Sequence, residues 1–149
     1  MATQFGELGS IEWSKVRNFH QSEWQTDPLR VSPQLVYLVD ECTTAIKNRF
    51  PLAYAVIHVA YETSGHAVDS QHYLGLAVDL HFANISLLDQ FLMVERFPFT
   101  GVGLYPFWTN PGVHLDIREV AENGGARWWR GAGGEYKEMN AELFKMIEV

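Results

Sequence analysis

A chain of 149 residues fits one domain with one sizeable hydrophobic core. Its composition, 47% hydrophobic and 19% charged, is that of an ordinary soluble globular protein, and its net charge of −7 argues against nucleic acid and anionic membranes as partners. The one cysteine, Cys42, excludes an intramolecular disulfide.

Residues 1–31 read as an irregular, aromatic lead-in with Trp13, Phe19 and Trp24, holding at most a short helix. No basic region followed by an apolar run occurs in residues 1–14. Neither a signal peptide nor a membrane span is therefore expected, and synthesis is expected in the cytoplasm. Ser32-Pro33 then supplies a cap and a first-turn proline. Leu35, Leu38, Val39, Cys42, Ile46 and Phe50 recur at helical spacing, so an amphipathic helix is predicted over 33–49, ended by Pro51. Cys42 lies among apolar residues on that helix and reads as a packing residue, not a nucleophile.

Residues 54–61 (YAVIHVAY) are apolar and β-branched, the pattern of a buried strand. A loop follows over 62–70, and 76–82 (LAVDLHF) alternates as a strand. A helix over 86–95 is capped by Ser86, and short strands are expected at 101–105 and 113–117, joined by turn chemistry at 108–112. Residues 127–129 suggest a final edge strand. The glycines of 131–134 form a turn, and 135–149 read as a helical tail with its helix over 138–148. The expected fold is one α+β domain spanning 1–149, a small antiparallel sheet flanked by helices. A monomer is expected.

Three residues carry candidate chemistry: His72, Asp79 and His114. His72 and Asp79 are seven apart, which on one helix would separate them by about 10 Å along the axis, and on one strand by more. Neither arrangement lets both reach one ion at about 2.0–2.2 Å, so a turn must fold His72 back over Asp79. Gly75 lies where that turn is needed. In the strand 76–82, Leu76, Val78, Leu80 and Phe82 face one way, and Ala77, Asp79 and His81 the other. Val113, Leu115 and Ile117 likewise oppose His114 and Asp116. A carboxylate on a strand whose other face is apolar needs a partner. Two histidines and a carboxylate with an open fourth position suit catalytic zinc. By residue pattern alone, hydrogen-bonded buried polar residues fit Asp79 and His114 as well.

The segment Ser70-Gln71-His72-Tyr73-Leu74-Gly75-Leu76-Ala77-Val78-Asp79 resembles the S-x-H-x-x-G-x-A-x-D motif of the zinc D-Ala-D-Ala carboxypeptidase family. That family includes phage L-Ala-D-Glu endopeptidases and shares its fold with the hedgehog amino-terminal signalling domain. Gly101-Val102-Gly103-Leu104-Tyr105, Val113-His114-Leu115-Asp116-Ile117-Arg118 and Trp128 are similar to the closing segment of one branch, so the resemblance spans roughly residues 30–130. It implies Zn²⁺ on His72, Asp79 and His114, and hydrolysis of peptidoglycan peptide by metal-activated water. With no signal peptide, the cell wall would be reached as a phage or prophage protein.

The resemblance also exposes two departures. The family's usual proton carrier lies three residues before the last zinc histidine, where this chain has Pro111. Asp116, on the His114 face and roughly 6–7 Å along the strand, is the first substitute, with Glu62 another. Equally open for Asp116 are an ion pair with Arg118 or an orienting bond to a zinc histidine. The arginine that many relatives carry near 60–63 to hold a substrate carboxylate is absent; Arg118 could replace it or form a structural pair. Ser70 and Gln71 are expected to line the cleft or to cap its turn. Tyr105 is expected to contact substrate or to pack. His81 and His66 read as satisfied polar and loop residues, His58 as core, and Trp108, Trp128 and Trp129 as edge packing or cleft wall. A second class of function stays open, a zinc-stabilised binding or structural module without catalysis.

Overall fold

The structure is a computed structural model that describes residues 11–25, 27–120 and 125–148. The first ten residues of the lead-in, together with 26, 121–124 and 149, lie outside the described residues.

The long helix α1 runs Pro33–Arg49, starting and stopping where its Ser-Pro opening and Pro51 dictate. Strand β1 (Tyr54–Val59) follows, and a 3-10 turn over Gln71–Leu74 leads into β2 (Ala77–Ala83). Helix α2 (Leu87–Val94) is capped by Ser86, whose Oγ accepts from the Asp89 amide at 3.1 Å. Then come β3 (Gly101–Tyr105), β4 (Gly112–Asp116), β5 (Ala126–Arg130), β6 (Tyr136–Glu138) and α3 (Ala141–Ile147).

The six strands form one sheet in the order β1-β2-β4-β3-β5-β6. Three findings correct the expected small antiparallel sheet. The sheet is mixed, because β5 pairs with β3 in parallel: β3 and β4 make a hairpin, and the chain must then return past β4 to reach the open side of β3. Strand β5 is not the edge, since β6 covers it. And β6 lies inside the tail read as helical, where Tyr136, Lys137 and Glu138 carry no apolar alternation to announce a strand.

One face of the sheet is apolar. Val78, Leu80 and Phe82 of β2, Val113 and Leu115 of β4, Val102 and Leu104 of β3, and Trp129 of β5 join the buried faces of α1, α2 and α3 in one cluster. Cys42 is in it, as expected, and burial pushes its thiol up to about 12. The lead-in is better built than its sequence suggested. It makes three 3-10 turns, Trp13–Lys15, Gln21–Trp24 and Pro28–Arg30, and sends Ile11, Val16, Phe19, Trp24 and Val31 into the same core. Asp40 of α1, nearly buried, fastens it by accepting from the amides of Arg17 (3.0 Å) and Asn18 (2.9 Å). No described helix is long and apolar enough to cross a membrane.

Candidate metal centre

Strand register places the opposite face of the sheet. Asp79 on β2 sits directly across from His114 on β4, His114 across from Gly103 on β3, and Gly103 across from Trp128 on β5. One row over, Asp116 stands between Ala77 and Gly101. The two β3 glycines make the room: a Cβ on Gly103 would lie 2.4 Å from the Trp128 ring, and one on Gly101 would lie 2.2 Å from the Asp116 carboxylate. The G-x-G of this segment is therefore a notch for a buried carboxylate and an indole.

His72 enters from above. Ser70 caps the 3-10 turn, its Oγ accepting from the His72 amide at 3.2 Å. Gly75 closes the turn with φ +70, and its carbonyl accepts from the Ser32 amide at 2.8 Å. A Cβ there would lie 2.0 Å from the Arg30 carbonyl oxygen, so a glycine is required both by backbone angle and by close approach of the lead-in. This is the fold-back that the His72–Asp79 spacing demanded.

His72, Asp79 and His114 converge, buried, with ligand atoms all within 4.8 Å of one another, and the group could hold a metal ion. His72 Nε2 is 3.2 Å and His114 Nδ1 2.9 Å from the same oxygen, Asp79 Oδ1. Ligands of a tetrahedral ion at about 2.0–2.1 Å stand roughly 3.3 Å apart, so little movement separates this arrangement from coordination. The outer nitrogens are also fixed. His72 Nδ1 donates to the Ala60 carbonyl at 2.8 Å; a carbonyl only accepts, so that nitrogen carries the proton and Nε2 presents its lone pair inward. His114 Nε2 faces Asp116 Oδ2 at 2.7 Å, which sets Nδ1 toward the centre in the same way.

The electrostatics ask for a cation. Burial alone would raise the Asp79 carboxyl, but hydrogen bonds from His114 and His72 outweigh it and hold the group well below the carboxylate range. Burial would lower the His114 imidazole, but its bonds to Asp116 and Asp79 raise it to about 9. Without a metal, the protonated His114 ring thus lies between two buried carboxylates, with Nδ1 on Asp79 and Nε2 on Asp116.

Asp116 stands behind the His114 ring. It is 0% exposed, on the far side of the His114 ring from Asp79. Its oxygens accept from Arg118 Nε at 2.9 and 3.1 Å and from Arg118 Nη2 at 2.6 Å. These bonds, with that from His114, outweigh burial and bring its carboxyl down to about 2. These contacts are the ones expected of Asp116 as an ion-pair or orienting residue, and its Arg118 partner lies over the Trp128 ring at 5.3 Å.

The centre opens into a cleft of about 640 Å³ that Ser70, Gln71 and Tyr105 line as expected. Tyr105 stacks on Trp108 with centroids 4.3 Å apart, and burial pushes its phenol up to about 12. Trp128 forms cleft wall, tilted on His114 at 5.0 Å, whereas Trp129 is core. His66 also lines the cleft, its ring stacked on His72 at 4.5 Å. Tyr73 Oη holds it, accepting from the His66 amide (2.8 Å) and donating to the His66 carbonyl (2.7 Å). His58 is exposed, which corrects its reading as core: Ile57 opposite Leu80 takes the core face, so alternation turns His58 to the outer face, 2.7 Å from His81 Nδ1. A larger cleft of about 820 Å³, bordered by His81, Phe107 and Met146, contains none of the three ligands.

Sequence reasoning missed Asp69, Arg130 and Tyr136 as cleft residues, and the Ala60 carbonyl as an orienting group. Asp69 adjoins Ser70 and was within reach of the motif; a backbone carbonyl leaves no sequence signal. No protein-family model and no curated protein matches this chain.

Proposed function

We propose that the chain is a zinc-dependent peptidase acting on peptidoglycan peptide, a hydrolase of the D-Ala-D-Ala carboxypeptidase or endopeptidase type. The observation that carries this reading is the convergence of His72, Asp79 and His114 in an open cleft, with the His72 tautomer set by the Ala60 carbonyl and the His114 ring aimed by Asp116. The S-x-H-x-x-G-x-A-x-D resemblance supports it, because each fixed position now has a physical role: Ser70 caps, His72 and Asp79 present donors, Gly75 turns, and Ala77 leaves room beside Asp116.

Zinc there would supply Lewis-acid polarisation of the scissile carbonyl and of the attacking water. The chain's own groups do the rest. Asp116 and Ala60 hold the two imidazoles in register. Tyr105, kept protonated at neutral pH, is a hydrogen-bond donor for developing negative charge on the carbonyl oxygen. Proton transfer falls to the titratable groups on the cleft wall, Asp69 and His66, since Pro111 occupies the family position and Asp116 is enclosed. The proposal extends to action at the cell wall, as a monomer of phage or prophage type.

The enclosure of Asp116 also favours the second reading, a zinc-stabilised module that binds cell wall without cutting it. One experiment separates them. Zinc-loaded protein is incubated with purified peptidoglycan across pH 5–9, and released fragments are analysed by mass spectrometry. New peptide termini, absent with His72→Ala, are expected and identify the bond; intact peptidoglycan at every pH would overturn the peptidase reading in favour of the inert module.

A further inference from the structure

Two cations line the metal cleft, Arg118 and Arg130, and they are placed very differently. Arg118 is committed to Asp116. Arg130, at the end of β5, has no carboxylate within ion-pair range among the described residues. Its hairpin neighbour Glu135 pairs instead with Lys137 at 3.4 Å. Yet Arg130 is held in place: its Nε donates to the Gly134 carbonyl at 3.1 Å, and its guanidinium lies over the Tyr136 ring at 5.1 Å. The tether uses Nε and the stack uses one face of the plane, leaving the two terminal nitrogens for a ligand. An arginine fixed in this way, with no anion of its own, in a cleft of a chain with net charge −7, is arranged for an external planar anion.

We propose that Arg130, backed by Tyr136, is the specificity residue of the cleft and binds a carboxylate of the substrate peptide. This rests on the peptidase reading only for the word substrate; the binding itself requires no turnover. The β5–β6 hairpin thereby gains a purpose. It carries the anion contact into the same cleft that His72, His114 and the His66–Gln71 loop line, so that a peptide held there has its carboxylate read by Arg130. The carboxylate is either the chain terminus or an acidic side chain, two sources with one chemistry.

Three probes decide the matter on the zinc-loaded protein, with affinities measured by NMR titration: N-acetyl-Ala-Ala with a free terminus, N-acetyl-Glu-Ala amide with a side-chain carboxylate, and neutral N-acetyl-Gln-Ala amide. At least one acidic probe is expected to bind about tenfold or more tightly than the neutral one, as suits a charge-assisted fork. Whichever acid shows the margin identifies the source. Arg130→Gln is expected to abolish the margin while leaving neutral binding and zinc content unchanged, and Arg130→Lys to restore only part of it. Because Arg130 is exposed, both variants should melt as the parent does. Equal binding of all three probes, no binding of any, or a margin that survives Arg130→Gln would overturn the proposal. Acid-selective binding lost in Arg130→Gln, together with intact peptidoglycan in the digestion assay, would refute the peptidase reading alone.

Discussion

Replacing Asp116 by Ala should weaken zinc binding before it does anything else. The carboxylate accepts from His114 at 2.7 Å and from Arg118 through Nε and Nη2, and it is fully enclosed. Its removal frees the His114 ring to rotate and lets the other tautomer compete, a loss of orientation that costs about 10–100-fold in metal affinity. It also leaves one member of a buried pair behind, which costs about 3–5 kcal/mol when both are enclosed. The Arg118 side chain is 28% exposed and recovers water, so a fall of about 2–3 kcal/mol is the better figure for this site. In a chain of this size that lowers the melting temperature by about 10 °C. Competition with a chelating dye reads the affinity, and calorimetry of zinc-free protein reads the stability. Zinc affinity within twofold of the parent would refute the orienting role. If hydrolysis were then lost as well, Asp116 would be the proton carrier instead.

Three further outcomes follow from the same geometry. Gly103→Ala places a Cβ 2.4 Å from the Trp128 ring and should cost about 1–3 kcal/mol by overpacking, with a shifted tryptophan fluorescence maximum. Tyr73→Phe removes both bonds that hold His66 and should cost about 1–2 kcal/mol, with faster amide exchange at His66 read by NMR. In zinc-free protein, His114 is raised from 6.5 to about 9, so its contribution is fully present below about pH 6.5 and lost as pH rises through 9. Asp79 and Asp116 are depressed from 3.8, so theirs is present above about pH 4 and lost as pH falls further. His66 and His81, lowered from 6.5 by burial, act in the opposite sense but only below about that pH, so melting of chelator-treated protein should fall from about pH 7 to 9; a stability still rising over that range would contradict this.

Much of the site was legible because strand parity is rigid. Once LAVDLHF is a strand with an apolar core face, Asp79 must point the other way, and the same holds for His114 between Val113 and Leu115. Gly75 was legible from the impossibility of a straight connection. The His114–Asp116 face was legible too, but its chemistry was not. Parity places Asp116 on the right side of the sheet without revealing that Arg118, two residues on, folds back to enclose it. Arg130 was invisible for a related reason, since its place in the cleft depends on β5 joining β3 in parallel, a pairing over more than twenty residues of sequence. His58 was misread because the apolar run of β1 looks buried on both faces, whereas only the Ala55 and Ile57 side faces the core. The lead-in was underrated because its anchor, Asp40, sits on a different element.

One centre, His72, Asp79 and His114, is proposed to hold one zinc ion, and elemental analysis tests this most directly. Protein purified without chelators and dialysed against zinc should carry close to one equivalent, with most of it lost in His72→Ala and in His114→Ala although both variants stay folded. One full equivalent retained in both variants would contradict it.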